Sequence, residues 1–132
     1  MRVLDHEGLE VYQVARELSR EICNIRKRIR PGHADMVDQV LRATASIPLN
    51  IAEGNGERFP GRRAYFFRVA RASATELGAA LDHMVDMDLL KVSDIHAAKA
   101  LLVRIVSMLT RLTAKVTDPE SFPPLPRVRA RR

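Results

Sequence analysis

The chain is 132 residues long, 46% hydrophobic and 29% charged, which is typical of one soluble domain with a single modest core. Two tyrosines, four phenylalanines and no tryptophan favour helix packing over a β-sandwich. The net charge of +6 is compatible with a polyanionic partner, although an arginine-rich genome composition produces the same excess. The lone cysteine excludes an internal disulfide, and neither a membrane-spanning run nor a signal peptide is evident, so we expect a cytoplasmic protein.

An apolar seam predicts the first helix. Its members recur at alternating steps of four and three, which places them on one helix face: Val11, Ala15, Leu18, Ile22, Ile25 and Ile29. Pro31 and Gly32 end this helix. The second helix is predicted from about Ala34 to Gly54, where a glycine suits a C-terminal cap.

Two further helices follow. The third is predicted from near Gly61 to around Asp88, with one face formed by Phe66, Ala70, Ser73, Leu77, Leu81 and Met84. Ser93 is predicted to cap the fourth helix, and Asp118 and Pro119 to end it. Its apolar residues keep a heptad step: Ile95, Ala98, Leu102, Ile105, Leu109, Leu112 and Val116.

Four helices of comparable length joined by short turns predict an all-α fold, an antiparallel up-down-up-down four-helix bundle over residues 1–117. Residues 118–132 are rich in proline and arginine and are predicted to form a C-terminal tail. The second helix is apolar over an arc too wide for one bundle core, so we expect it to meet neighbours on more than one side, as in a cyclic homo-oligomer. The arc contains Leu41, Ala43, Ala45, Ile47, Leu49, Ile51 and Ala52.

The second helix also carries a proline, Pro48, which costs about 3 kcal/mol relative to alanine in a helix interior. A narrow polar stripe runs past it, within an arc of about 80°: Gln39, Arg42, Ser46, Asn50 and Glu53. Such a stripe is either a solvent-facing surface or one side of a polar network. Because three of the five side chains are short and neutral, we favour the network.

The third helix offers matching polar groups, Ser73 and Glu76, three residues apart on one face. We therefore predict a polar ladder between the second and third helices, in which Arg42 pairs with Glu76 or Glu53. The hydroxyl and amide groups of the ladder are predicted to satisfy the Thr44 carbonyl, which Pro48 leaves without its helical donor. A ridge of small residues on the third helix, Ala70, Ala74 and Gly78, predicts a close backbone approach.

The residues of the second and third predicted helices resemble those of a protein family named for reading frames inside intervening sequences of bacterial 23S ribosomal RNA genes. The resemblance covers residues 8–116, with departures at Ala72 and in the segment MDLL. It implies an antiparallel four-helix bundle, a cyclic homopentamer, no known catalytic activity and no cofactor. Relatives that act beside reverse transcriptases bind nucleic acid and a protein partner. The matching positions are Gln39, Arg42, Ala43, Ser46, Ile47, Pro48, Asn50, Ile51, Ala52, Glu53, Gly54, Phe67, Ala70, Ser73, Glu76 and Leu77.

In an up-down bundle, the turn between the second and third helices lies at the same end as both chain termini, which makes that end basic. The arginines expected there are Arg2, Arg58, Arg62, Arg63, Arg127, Arg129, Arg131 and Arg132. Phe59 and Tyr65 are the candidates for stacking on unpaired bases, whereas helical spacing assigns Phe66 and Phe67 to the core. The basic end is therefore a candidate site for RNA or DNA.

The sequence indicates neither a metal site nor a catalytic nucleophile. His33, His83 and His96 are predicted near aspartates, but no Glu-x-x-His pair accompanies them, and Cys23 is predicted to be a small buried hydrophobe. No phosphate loop, Ser-x-x-Lys or His-Glu-x-x-His motif is present, so we expect neither catalysis nor a cofactor. The leading hypothesis is an RNA-binding homo-oligomer. A scaffold for an unidentified protein is the alternative, and a metal-dependent enzyme is the third class.

Overall fold

The apolar periodicity of the sequence produces four α-helices in the computed structural model, which describes residues 4–115. A short 3-10 helix, Asp5–Gly8, precedes them. The helices are α1, Glu10–Arg26; α2, Ala34–Gly56; α3, Pro60–Asp86; and α4, Val92–Ala114. Residues 4–115 contain no strand, so the all-α prediction is confirmed there. The predicted tail and the predicted end of the fourth helix lie outside the described residues.

All four helices contribute to one apolar core, as expected for a bundle. The predicted seam of α1 is buried from Val11 to Ile25, and that of α4 from Ile95 to Leu109. α2 packs most extensively against α3, and α4 contacts both α3 and α1. The largest fully buried side chains are Phe67, Leu18, Ile22, Ile25, Ile47, Ile51, Leu77, Leu81, Met84, Ile105 and Leu109.

The start of α4 differs from the prediction. Ser93 does not cap this helix; the Asp94 carboxylate instead accepts a hydrogen bond from the Lys91 backbone N–H at 2.8 Å. Arg28, just beyond the end of α1, pairs with the same carboxylate at 2.7 Å. The Lys91 N–H, followed by the Arg28 charge, holds the pKa of Asp94 below its ordinary value. Asp94 therefore joins the start of α4 to the end of α1.

Gly54 is not the predicted helix cap, because α2 continues to Gly56. Its role is to let α3 pack closely against α2. A Cβ atom at position 54 would lie 3.0 Å from the Cβ of Phe66 and 3.0 Å from two ring carbons of Phe67. The end of α2 and the start of α3 thus approach at a distance that only glycine accommodates without displacement.

We expect Gly54→Ala to destabilise the fold by up to about 2 kcal/mol. Alanine has the better helix propensity by about 1 kcal/mol, but overpacking a tight contact costs about 1–3 kcal/mol, and the Phe67 ring at this contact is fully buried. Urea unfolding would measure the change. Gly56→Ala is the matched control, because nothing lies within 4 Å of a Cβ there. A stabilised Gly54→Ala protein would contradict the close approach.

Candidate functional site

The polar residues between α2 and α3 form one compact hydrogen-bonded group. The hydroxyls of Ser46 and Ser73 share a hydrogen bond of 2.7 Å across the two helices. The Asn50 side-chain amide, one turn after Ser46, donates to the Ser46 carbonyl at 2.7 Å and to the Ser46 hydroxyl at 3.0 Å. Ser73 is buried, and Ser46 and Asn50 are half-buried. Three of the seven predicted network residues are therefore brought together.

The other four predicted network residues do not join this group. Gln39, Arg42, Glu53 and Glu76 are exposed. Within residues 4–115, Arg42 pairs with neither Glu76 nor Glu53, so the predicted ion pair is not formed inside the chain. Their side chains are available to groups outside the subunit.

The local effect of Pro48 also differs from the prediction. Asn50 donates to the carbonyl of Ser46 and not to that of Thr44, the carbonyl that loses its helical donor to Pro48. The Thr44 hydroxyl itself donates to the Val40 carbonyl at 2.7 Å. Asn50 thus supports the helix at a carbonyl two residues beyond the predicted one. The bond is an i to i−4 contact, which a polar side chain inside a helix commonly makes.

The turn between α2 and α3 presents a basic and aromatic surface, here called the basic end: Arg58, Phe59, Arg62, Arg63 and Tyr65. Phe59 precedes the first residue of α3 and is 46% exposed. The guanidinium carbon of Arg62 lies 5.9 Å from the Phe59 ring centroid, within cation–π range. Tyr65 is 40% exposed and meets the Phe66 ring edge-to-face, with centroids 5.3 Å apart. An exposed aromatic face therefore lies next to an exposed guanidinium.

The other arginines predicted at this end of the bundle differ in their exposure and their hydrogen bonds. Arg58 is exposed, whereas Arg63 is half-buried and donates to the Asn55 carbonyl at 3.5 Å. Arg2 and the tail arginines Arg127, Arg129, Arg131 and Arg132 lie outside the described residues. Phe67 belongs to the core as predicted, and Phe66 is half-buried.

The charge at the start of α3 is opposite to what helix stability favours. The positive end of a helix dipole favours Asp or Glu in the first turn, yet the first turn of α3 contains no acidic residue and carries Arg62 and Arg63. Arg63 also compensates the negative end of α2 through its hydrogen bond to the Asn55 carbonyl, but the Arg62 charge and the α3 dipole add to one positive potential. This potential attracts an anion at the expense of local helix stability.

One apolar groove was not predicted from the sequence. It is about 590 Å³ in volume, lies between α3 and α4, and is lined by Ala74, Gly78, Ala79, Leu102 and Val103 among others. Val103 is 69% exposed. Part of the predicted small-residue ridge, Ala74 and Gly78, lies along this groove and could have indicated it.

Two further placements concern reactivity. Cys23 is exposed, so its predicted burial is wrong; the residue lies just outside the apolar seam of α1. Within residues 4–115, His, Cys, Asp and Glu side chains form no group of three that could hold a metal ion.

None of the four helices combines the length and apolar character needed to cross a bilayer.

Comparison with known proteins places the chain in a family. No curated protein matches its sequence. The family model described as 23S rRNA-intervening sequence protein matches residues 7–111, a range that begins before α1 and includes nearly all of α4. The match contains both the polar group between α2 and α3 and the basic end. With most of its length covered by this model, the chain belongs to the 23S rRNA intervening sequence protein family.

Proposed function

We propose that this protein is a non-catalytic, cytoplasmic homo-oligomer, a closed ring of five antiparallel up-down-up-down bundles, that binds RNA or another nucleic acid through its basic end. The observation that carries the nucleic-acid role is the first turn of α3. Two arginines stand there where folding favours acidic residues, beside the exposed ring of Phe59. Guanidinium groups that hold phosphates and an aromatic face that stacks on a base are the two components of single-strand recognition.

The antiparallel order is supported by contacts between helix ends. The end of α2 meets the start of α3 at Gly54 and Phe66. Asp82, late in α3, pairs with Lys99, early in α4, at 2.8 Å. Arg28 after α1 pairs with Asp94 at the start of α4. In each pair, a late position of one helix meets an early position of the other.

The ring is supported by the uncovered part of the apolar arc of α2. Ile47 and Ile51 fill the core, but Leu49 is 67% exposed and Ala45 is also exposed. An exposed leucine alone is common on a monomer. Here it lies on a helix that is apolar on two sides, in a chain whose family resemblance implies a homopentamer.

Two measurements test the proposal: the mass of the oligomer and the salt dependence of RNA binding. Light scattering of the full chain is expected to give about five times the 14.9 kDa subunit mass, independent of concentration. Fluorescence anisotropy with a labelled RNA is expected to give an affinity that falls steeply as salt is raised, because counterions released from phosphates drive binding. A monomer contradicts the ring, and RNA binding that is absent at low salt contradicts the nucleic-acid role.

The alternative function is a protein–protein scaffold with no nucleic-acid role. The apolar groove between α3 and α4 favours it, because grooves of this kind accept partner side chains. A protein that co-purifies in stoichiometric amounts after nuclease treatment, together with no measurable RNA affinity, would favour the scaffold.

A further inference from the structure

One line of exposed residues on α2 combines two unpaired charges with an apolar centre. Arg42, Ala45, Leu49 and Glu53 are spaced three, four and four residues apart, so they form one stripe along the helix. All four are exposed, and Leu49 is 67% exposed. Within residues 4–115 neither Arg42 nor Glu53 forms an ion pair or a side-chain hydrogen bond. We call this line the α2 stripe.

A second line, on α3, has the complementary charges at the same separation. Arg71, Thr75, Gly78 and Asp82 are spaced four, three and four residues apart. Thr75, Gly78 and Asp82 form one wall of the groove between α3 and α4, whose opposite wall includes Val103. Gly78 has no side chain, so the wall is lowest in its middle. We call this line the α3 stripe.

The two stripes match when the helices run in opposite directions. On α2 the charges are eleven positions apart (42 to 53), and on α3 they are also eleven positions apart (71 to 82), which is about 16 Å at 1.5 Å per residue. An antiparallel approach places Arg42 beside Asp82 and Glu53 beside Arg71. The same register places Leu49 opposite Thr75, and Ala45 opposite Ala79, next to Gly78. A parallel approach would instead bring together charges of the same sign.

We propose that the α2 stripe of one subunit docks into the α3–α4 groove of a second copy of this chain, with Arg42 pairing with Asp82 and Glu53 with Arg71. The occupant is a second copy because both halves of the complementary pattern lie on the same chain. The two surfaces are different, so the contact is heterologous, the type that builds rings. This inference rests on the homo-oligomer proposed above and adds the surfaces that form it.

Asp82 and Arg71, which would pair with the charges of the docking α2 stripe, can each bind a second partner. The Asp82 carboxylate accepts hydrogen bonds from Lys99 at 2.8 and 2.9 Å, yet its side chain is 57% exposed, and a carboxylate has lone pairs for further donors. Arg71 donates through one nitrogen to the Thr110 hydroxyl at 3.3 Å and keeps its other N–H groups. Neither internal contact must break for docking.

Charge exchange tests the pairing. In the full-length protein, Arg42→Glu and Asp82→Arg are each expected to lower the mass measured by light scattering about fivefold, to that of the subunit. The combined variant is expected to restore the parent mass, because the attraction is re-formed with the signs reversed. Glu53→Arg and Arg71→Glu, alone and combined, provide an independent second set. Circular dichroism establishes that each variant is folded, which matters because Asp82→Arg also removes the Lys99 pair.

The controls are Glu17→Arg and Lys27→Glu, exposed charges on and just after α1 that lie on neither stripe; both are expected to keep the parent mass. If both sets of single variants keep the parent mass, the inference is overturned while the ring stands. If the double variant Arg42→Glu/Glu53→Arg restores the mass that Arg42→Glu alone loses, the inference is also overturned. The contact would then be between the α2 stripes of two subunits. A parent protein that is already monomeric would overturn the ring and this inference together.

Discussion

Replacing Phe67 with alanine is expected to destabilise the fold by about 3–5 kcal/mol, a large fraction of the 5–15 kcal/mol typical of a domain. Phe67 is 1% exposed and is the largest of the fully buried side chains. Its ring packs where α2 and α3 approach each other at Gly54. Alanine would leave a cavity that the two helices close only in part. Thermal or urea unfolding at fixed protein concentration would measure the loss.

Phe66→Ala is the matched control, because the neighbouring ring is half-buried and meets the exposed Tyr65. We expect a clearly smaller loss for it, since less apolar surface leaves water when Phe66 folds. Equal losses for the two variants would mean that the core does not discriminate between these positions. A combined Gly54→Ala/Phe67→Leu variant is expected to lose less than the sum of its single changes, because the smaller side chain relieves the contact.

The elements of the fold were predictable because their signals are local. The four-and-three spacing from Val11 to Ile25 fixes a buried face whatever it packs against, and the segment around Pro31 and Gly32 excludes helix. Gly54 shows the limit of such signals. A glycine near a predicted helix end suits a cap equally well, and only the position of the Phe67 ring on another helix reveals that it serves close packing.

The candidate site was predictable only in part for the same reason. A helical wheel places Ser46, Asn50 and Arg42 in one arc, but it does not state how far the neighbouring helix extends over that arc. Ser73 reaches Ser46 and covers the near edge, whereas Arg42 lies beyond it in solvent. Within residues 4–115, Arg42 and Glu53 therefore have no ion-pair partner, and the pattern of a single chain cannot show a partner in another subunit.

Reversing three arginines of the basic end, Arg58, Arg62 and Arg63, to glutamate is expected to weaken RNA binding more than about 100-fold at low salt. Hydrogen bonds to charged groups contribute about 1.5–3 kcal/mol each, and three of them are lost. The slope of log affinity against log salt should flatten by about 2 for a single strand, since each phosphate contact contributes about 0.7. Fluorescence anisotropy across a salt series measures both quantities.

The same variant should keep its stability, which separates loss of binding from loss of fold. Two of the three glutamates enter the first turn of α3, where the dipole favours a negative charge by about 0.3–1 kcal/mol each. That gain offsets the loss of the contact between Arg62 and the Phe59 ring, about 0.5–1 kcal/mol at an exposed site. It also acts against the loss of the long hydrogen bond from Arg63 to the Asn55 carbonyl. An unfolding midpoint close to that of the parent, with an unchanged mass by light scattering, is therefore expected.

A control with the same change of net charge decides whether position matters. Arg26, Lys27 and Lys91 are exposed basic residues at the end of α1 and the start of α4, away from the basic end, and their reversal to glutamate should leave most of the RNA affinity. In a ring, the equivalent basic ends lie on one face, so several modest contacts act together on one folded RNA. Equal loss in both triple variants would assign binding to net charge alone, and an unchanged affinity in the first would leave the scaffold function ahead.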